Sequence, residues 1–242
     1  MIYSCQWIPI SHFCLPLTQF TTEQCNEYMK LTRQTFLPRL GWNRHAPLVV
    51  IHGPTLLGGN DRVHVETEQL IQHIKFFMGY MRQDTPNGRL YRILLEVYQL
   101  IMGVGFHILE NTSKDLPHSE PNMIEYIRRQ AQSLNITFKI TGAWKPPLVR
   151  EGDRNIMEDM IALHLRPEYL RMMNNCRLYL QIVTLADITD PTGAKIEEWA
   201  WNGIRERSST LSWPRQERPS EKVWIWWRRH IRRLYIVRTN EL

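Results

Sequence analysis

The stretch EKVWIWWRRHIRRLYIV, residues 221–237, decides how this chain folds. At about 100° per residue a helix places Val223, Trp226, Trp227, His230, Ile231, Leu234 and Val237 within one broad stripe. Arg228, Arg229 and Arg232 fall on the opposite side, with Arg233 at the stripe's edge, and Ser220 stands where an N-cap belongs. One face of such a helix docks on a core and the other presents cations. The chain therefore reads as mainly α, an irregular helical domain with a few short strands that ends in an amphipathic basic helix.

Charge and indole gather at the same end. Residues 203–242 hold ten basic side chains, nine Arg and Lys222, against four acidic ones. That excess of six equals the net charge of the whole chain, +6, so residues 1–202 sum to zero. Trp199, Trp201, Trp213, Trp224, Trp226 and Trp227 are six of the nine tryptophans. Guanidinium forks suit phosphates and flat rings suit unpaired bases, which points to a polyanion carrying bases.

The remaining composition narrows the class. With 242 residues, 43% hydrophobic and 10% aromatic, the chain has ample material for a packed core. Cys5, Cys14, Cys25 and Cys176 form no C-x-x-C pair, which favours free thiols and a reducing compartment. Their spacing with His12 matches no common zinc site, so no metal and no cofactor is expected. The apolar start lacks a basic lead and is broken by Pro9, Ser11, His12 and Pro16, unlike a secretory signal. No run reaches the roughly 18 apolar residues of a membrane span. The expected location is intracellular, in the cytoplasm or the nucleus.

Periodicity predicts helices over 21–37, 66–81, 90–102, 122–134, 153–165 and from 167 to about 185. Short strands are expected over 48–51 and 136–140, and Pro86-Asn87-Gly88 is expected as a turn. The segment 178–185 fits the end of a helix or a buried strand. The polar, proline-bearing stretch 111–121 suggests an internal boundary, and 208–219 a linker. These signals divide the chain into 1–20, 21–110, 111–207 and 208–242.

Catalytic constellations are missing from the sequence. There is no Walker loop, no G-x-G-x-x-G, no H-E-x-x-H and no G-x-S-x-G. No Asp-Asp pair is present to seat two magnesium ions. Glu158-Asp159 and Glu197-Glu198 are adjacent carboxylates, which a helix points about 100° apart. No residue is assigned a catalytic role.

A succession of short blocks runs along the chain. Leu15-Pro16-Leu17-Thr18 leads to Gln24-Cys25, then to Leu37-Pro38-Arg39-Leu40-Gly41-Trp42-Asn43-Arg44-His45, His52-Gly53-Pro54 with Gly58-Gly59, and Thr67-Glu68-Gln69. Gly79-Tyr80-Met81-Arg82, Gly88-Arg89-Leu90, Ile156-Met157-Glu158-Asp159, Asn175-Cys176-Arg177-Leu178-Tyr179-Leu180-Gln181, Thr184-Leu185-Ala186-Asp187-Ile188 and Ser209-Thr210-Leu211-Ser212-Trp213-Pro214 follow. In its order, from about residue 15 to residue 235, this succession resembles the region downstream of the polymerase palm in reverse-transcriptase-like proteins encoded by retrotransposons. The resemblance implies a palm-tail segment over 3–18 and, over 25–102, the place of the thumb, a helical element that holds a template-primer duplex. The palm's aromatic-x-Asp-Asp motif is not in this chain, so the expectation is a non-enzymatic fragment that binds RNA or DNA.

On that reading the candidate backbone contacts are Arg33, Arg39, Arg44 and His45 near the first helix, and Arg228, Arg229, Arg232 and Arg233 at the far end. Such contacts position a duplex without reading its sequence. A second reading makes the chain a helical protein-interaction module, with Trp226, Trp227, Ile231 and Leu234 as groove anchors for a protein partner. A third lays the same helix on an anionic membrane surface.

Overall fold

A computed structural model describes residues 14–39, 41–59, 61, 64–205, 211 and 213–239. Among these residues the fold is mainly α-helical, with nine α-helices and two isolated β-bridges. The chain divides into two compact units, Met1–Arg89 and Leu90–Leu242.

The first unit begins with the tight turn Leu15–Leu17, followed by α1 (Thr22–Arg39), α2 (Leu48–His52) and α3 (Val65–Met81). A reciprocal capping box opens α1: Gln24 N donates to Thr21 Oγ1 at 3.3 Å and Thr21 N donates to Gln24 Oε1 at 2.9 Å. Leu15, Cys25, Met29 and Val65 form a buried cluster with Tyr28 against it. Buried Gln69 on α3 clasps the backbone of Phe20 twice, accepting from its N–H at 2.9 Å and donating to its C=O at 3.2 Å. Burial pushes the Cys25 thiol up to about 11, with Glu66 adding to the shift, so it is protonated at neutral pH.

Two local expectations give way here. The apolar run 48–51 reads as a strand but forms α2, because Pro47 starts a single turn that closes when Gly53 N donates to Val49 O at 2.8 Å. No strand lies beside it among the described residues to pair with. Pro86-Asn87-Gly88 reads as a turn but forms the first turn of α4 (Pro86–Met102), with Gly88 N donating to Thr85 Oγ1 at 3.1 Å. Proline suits that position, where its missing N–H would have no partner. A Cβ on Gly88 would lie 2.1 Å from Gln83 O, so only glycine fits beneath the end of α3.

The second unit is organised around the C-terminal end of α4. A helix leaves its last four carbonyls without intrahelical donors, and here each finds one. Gly103 N donates to Gln99 O at 3.0 Å. Nη2 of Arg177 donates to Leu100 O at 2.8 Å and Ile101 O at 2.6 Å. His118 Nε2 faces Met102 O at 3.1 Å. Arg177 is fully buried, and two of its three remaining N–H groups reach Ile182 O at 3.1 Å and Asn174 Oδ1 at 2.9 Å. Burial pulls its guanidinium down to about 9, against the opposing pull of Asp187, which still leaves a cation at neutral pH.

Around this junction sit α5 (Met123–Ser133), α6 (Ile156–Ala162), α7 (Pro167–Leu180), α8 (Glu198–Asn202) and α9 (Glu221–Thr239). Asn122 caps α5, its Oδ1 accepting from Glu125 N at 3.0 Å. Buried Arg128 on α5 donates from Nε to Ile108 O at 3.1 Å. Helix α7 stops at Leu180 because Gln181 turns left-handed (φ 58°), and Ile182 N then returns to Arg177 O at 3.2 Å. The open question over 178–185 is thereby resolved as a helix end, an extended step bridging Thr184 to Asn155, and a short turn Leu185–Ile188. Residues 136–140 form no strand; Ile140 N is satisfied by Glu110 Oε1 at 2.9 Å instead. The helix expected over 153–165 is shorter, since the Asp153 carboxylate accepts from Val149 N, Arg154 N and Ala186 N and so belongs to the loop before α6.

Gly103 makes the junction testable. Its φ is +66°, and a Cβ there would lie 2.5 Å from Arg177 Cζ. Gly103→Ala should cost about 3 kcal/mol or more in urea denaturation, combining left-handed strain with displacement of the guanidinium. Arg177→Lys should fare no better, because one ammonium cannot serve acceptors that diverge as these do.

His118 adds a pH dependence. Burial pulls its imidazole down to about 4, with Arg177 and Arg171 pulling the same way and the Met102 carbonyl opposing. A base with a depressed folded-state pKa binds its proton more readily when unfolded. Stability is therefore fully present above about pH 6.5 and falls as pH drops toward 4, by up to about 3 kcal/mol from this group. Buried His107 shifts in the same direction. Urea midpoints measured across that window should slope downward with acid, and His118→Gln should flatten the slope.

Candidate nucleic-acid interface

Helix α9 packs on α6 and α7, and its aromatic side chains pin it there. Trp224 and Trp227 are wholly buried. Trp227 Nε1 donates to Ala200 O at 3.1 Å and Trp224 Nε1 to Pro219 O at 3.0 Å. Gly203, at φ +66°, passes so close to Trp224 that a Cβ would sit 2.6 Å from the indole. His230, Ile231 and Leu234 complete the buried stripe. Trp224, outside the stripe drawn from the sequence, is thus one of its main anchors.

Two expectations are corrected by this packing. Trp227, Ile231 and Leu234 are filled into their own unit and are not available as groove anchors for a protein partner. Nor are the indoles of this helix open stacking platforms. Half-buried Trp226 meets Tyr169 at 4.8 Å between ring centroids, stacks on His230 at 5.7 Å with 22° between planes, and lies under the Arg229 guanidinium at 5.4 Å.

The four arginines of α9 differ in their surroundings. Arg228 Nη2 lies 2.7 Å from Glu221 Oε1, and this bond holds the Glu221 carboxyl below its ordinary range. Arg229, Arg232 and Arg233 are exposed. Arg229 and Arg233, one turn apart, line an open depression of about 320 Å³ together with His164, Arg166, Tyr169, Trp226 and His230. No carboxylate is among its lining residues.

Local structure explains how Arg166 arrives there. His164 ends α6 in a left-handed conformation (φ 51°), its N–H bonded to Ile161 O at 2.9 Å, and Pro167 opens α7 two residues after Leu165. Arg166 is therefore the N-cap residue of α7, where the free backbone N–H groups add positive potential. Glu168 in the same first turn is exposed and offsets part of it. Sequence reasoning missed His164, Arg166 and Tyr169, because about sixty residues separate them from α9 and no local pattern links the two.

The other four candidates belong to the first unit. Arg33 is half-buried and turns its Nε back to Met29 O at 3.4 Å, while Arg39 is exposed in the last turn of α1. Six residues apart on a helix, they point about 120° away from each other. Arg44 and His45 are exposed in the following turn, where Arg44 Nε faces His45 Nε2 at 3.1 Å.

The chain matches no protein-family model, no curated protein and no solved structure. Among the described residues no helix is long and apolar enough to cross a membrane, and no group of three or more His, Cys, Asp or Glu side chains is placed to hold a metal ion.

The two neighbouring tryptophans should separate in a stability assay. Trp227→Ala removes a fully buried indole and its hydrogen bond and should cost about 3–5 kcal/mol. Trp226→Ala should cost less than half as much in the same urea titration, because part of that ring already faces solvent.

Proposed function

We propose that this chain is a non-catalytic nucleic-acid-binding protein that takes the phosphate backbone of RNA or DNA, including a template-primer duplex, into the basic depression between α7 and α9. The resemblance in block order to the region downstream of a retrotransposon palm belongs to the same proposal. The observation that carries it is the gathering of Arg166, Arg229 and Arg233 around one depression whose lining contains no carboxylate. Three guanidinium groups held together repel one another, and a polyanion relieves that repulsion. Their planar forks match phosphate oxygens, and each contact releases condensed counterions. Trp226 contributes by holding Arg229 over its ring rather than by stacking on bases. Arg39, Arg44 and His45 are further exposed basic side chains in the first unit.

The test is a salt titration of labelled single-stranded RNA and of a primer-template duplex. Replacing Arg166, Arg229 and Arg233 together by Gln should lower the slope of log affinity against log salt by roughly 2 to 3, with circular dichroism unchanged. Arg228→Gln should change it less, since Glu221 already balances that charge. Wild type and triple variant binding alike at every salt concentration would sink the proposal.

A further inference from the structure

A second site in the same unit is independent of the nucleic-acid reading. Between α4, α5 and α7 lies a cavity of about 470 Å³, in the size range of small-molecule pockets. Its walls are largely apolar: Leu94 and Ile101 from α4, Met123 from α5, Leu178 from α7, and Pro214 from the segment before α9. One turn earlier on α4, exposed Leu90 extends the apolar surface along the same face as Leu94.

Two polar side chains on one face of α7 border this apolar space with hydrogen-bonding capacity left over. Arg171 lines the cavity and makes no hydrogen bond or ion pair among the described residues. Asn174, only 5% exposed, accepts from Arg177 Nε through Oδ1, while its amide nitrogen donates to no group among the described residues. A half-buried cation beside apolar walls is unfavourable unless an anion pairs with it, and an amide N–H on the same lining can offer that anion a hydrogen bond. Glu120 is the one carboxylate on the lining, and it is exposed, where water screens it. His118, also on the wall, is neutral at physiological pH and supplies no further charge.

We propose that this cavity binds a small apolar monocarboxylate, its hydrocarbon body against Leu94, Ile101, Met123 and Leu178, and its carboxylate paired with Arg171 and accepting from the Asn174 amide. Arg171 supplies the charge selectivity, and Asn174 ties the bound head group to the junction held by Arg177.

Calorimetric titration of the full chain with decanoate, 1-decanol and decylammonium, each below its aggregation concentration, tests the site. Decanoate should bind one per chain and at least tenfold more tightly than decanol, with decylammonium weakest. Arg171→Gln should bring decanoate down to the decanol level while leaving decanol and the thermal midpoint unchanged. Leu94→Trp, at a half-exposed position on the wall, should weaken both by filling the cavity. The proposal is overturned if decanoate binds no more tightly than decanol, if neither binds up to its solubility limit, or if Arg171→Gln and Leu94→Trp leave decanoate binding as it was.

Discussion

A guanidinium taken out of water must find an acceptor for each N–H it turns inward. Arg177 finds four acceptors for its five N–H groups, none of them a carboxylate: two carbonyls at the end of α4, one just beyond α7 and the Asn174 side chain. The same bonds satisfy helix-end carbonyls that would otherwise be buried unpaired, so donor and acceptors depend on each other. The contact joins segments about 77 positions apart and sets where α4 must stop relative to α7. Gly103 leaves room for the guanidinium, Trp213 lies over it at 5.7 Å, and His118 takes the remaining carbonyl. Removing any one partner strands the others in a medium of low polarity.

The tryptophans at the C-terminal end follow the same rule of satisfied burial. Both fully buried indoles spend their N–H on backbone carbonyls, and the partly exposed one is enclosed by Tyr169, His230 and Arg229. Aromatic surface that looks available for bases or for a partner helix is thus consumed in docking α9. The charge on its other face is left outside, beside Arg166. The cavity next to Arg171 has a different character, largely apolar with one cation on its wall, so the unit carries both an open cationic surface and an amphiphilic pocket.

Helices with long apolar periodicity were legible from residue patterns. α1, α3, α5 and α9 lie within a few residues of where spacing and caps place them. Short elements were not. Val49 and Val50 favour a strand by propensity, yet no neighbouring strand exists to pair with them among the described residues, and Pro47 with Gly53 closes them into one helical turn. Pro86 and Gly88 carry the composition of a turn, but Thr85 caps them into α4. The five residues of α8 are too few to show any period; Gly203 closes the turn on Trp199 O, and Trp227 Nε1 bonds Ala200 O within it.

The sequence by itself determined the helical class, the amphipathic character of the last helix and the concentration of positive charge near it, because periodicity and net charge are local sums over residue types. Only the tertiary structure decided which cations stand together and which aromatic rings remain exposed. Arg166 joins Arg229 and Arg233 because His164 and Pro167 turn the chain sharply between α6 and α7. Arg228 is matched by Glu221, and Arg177 of the same residue type is buried as a helix cap. Charge, burial and partner are properties of position in space, and for these arginines spatial neighbours are set by long-range packing that no run of adjacent residues encodes.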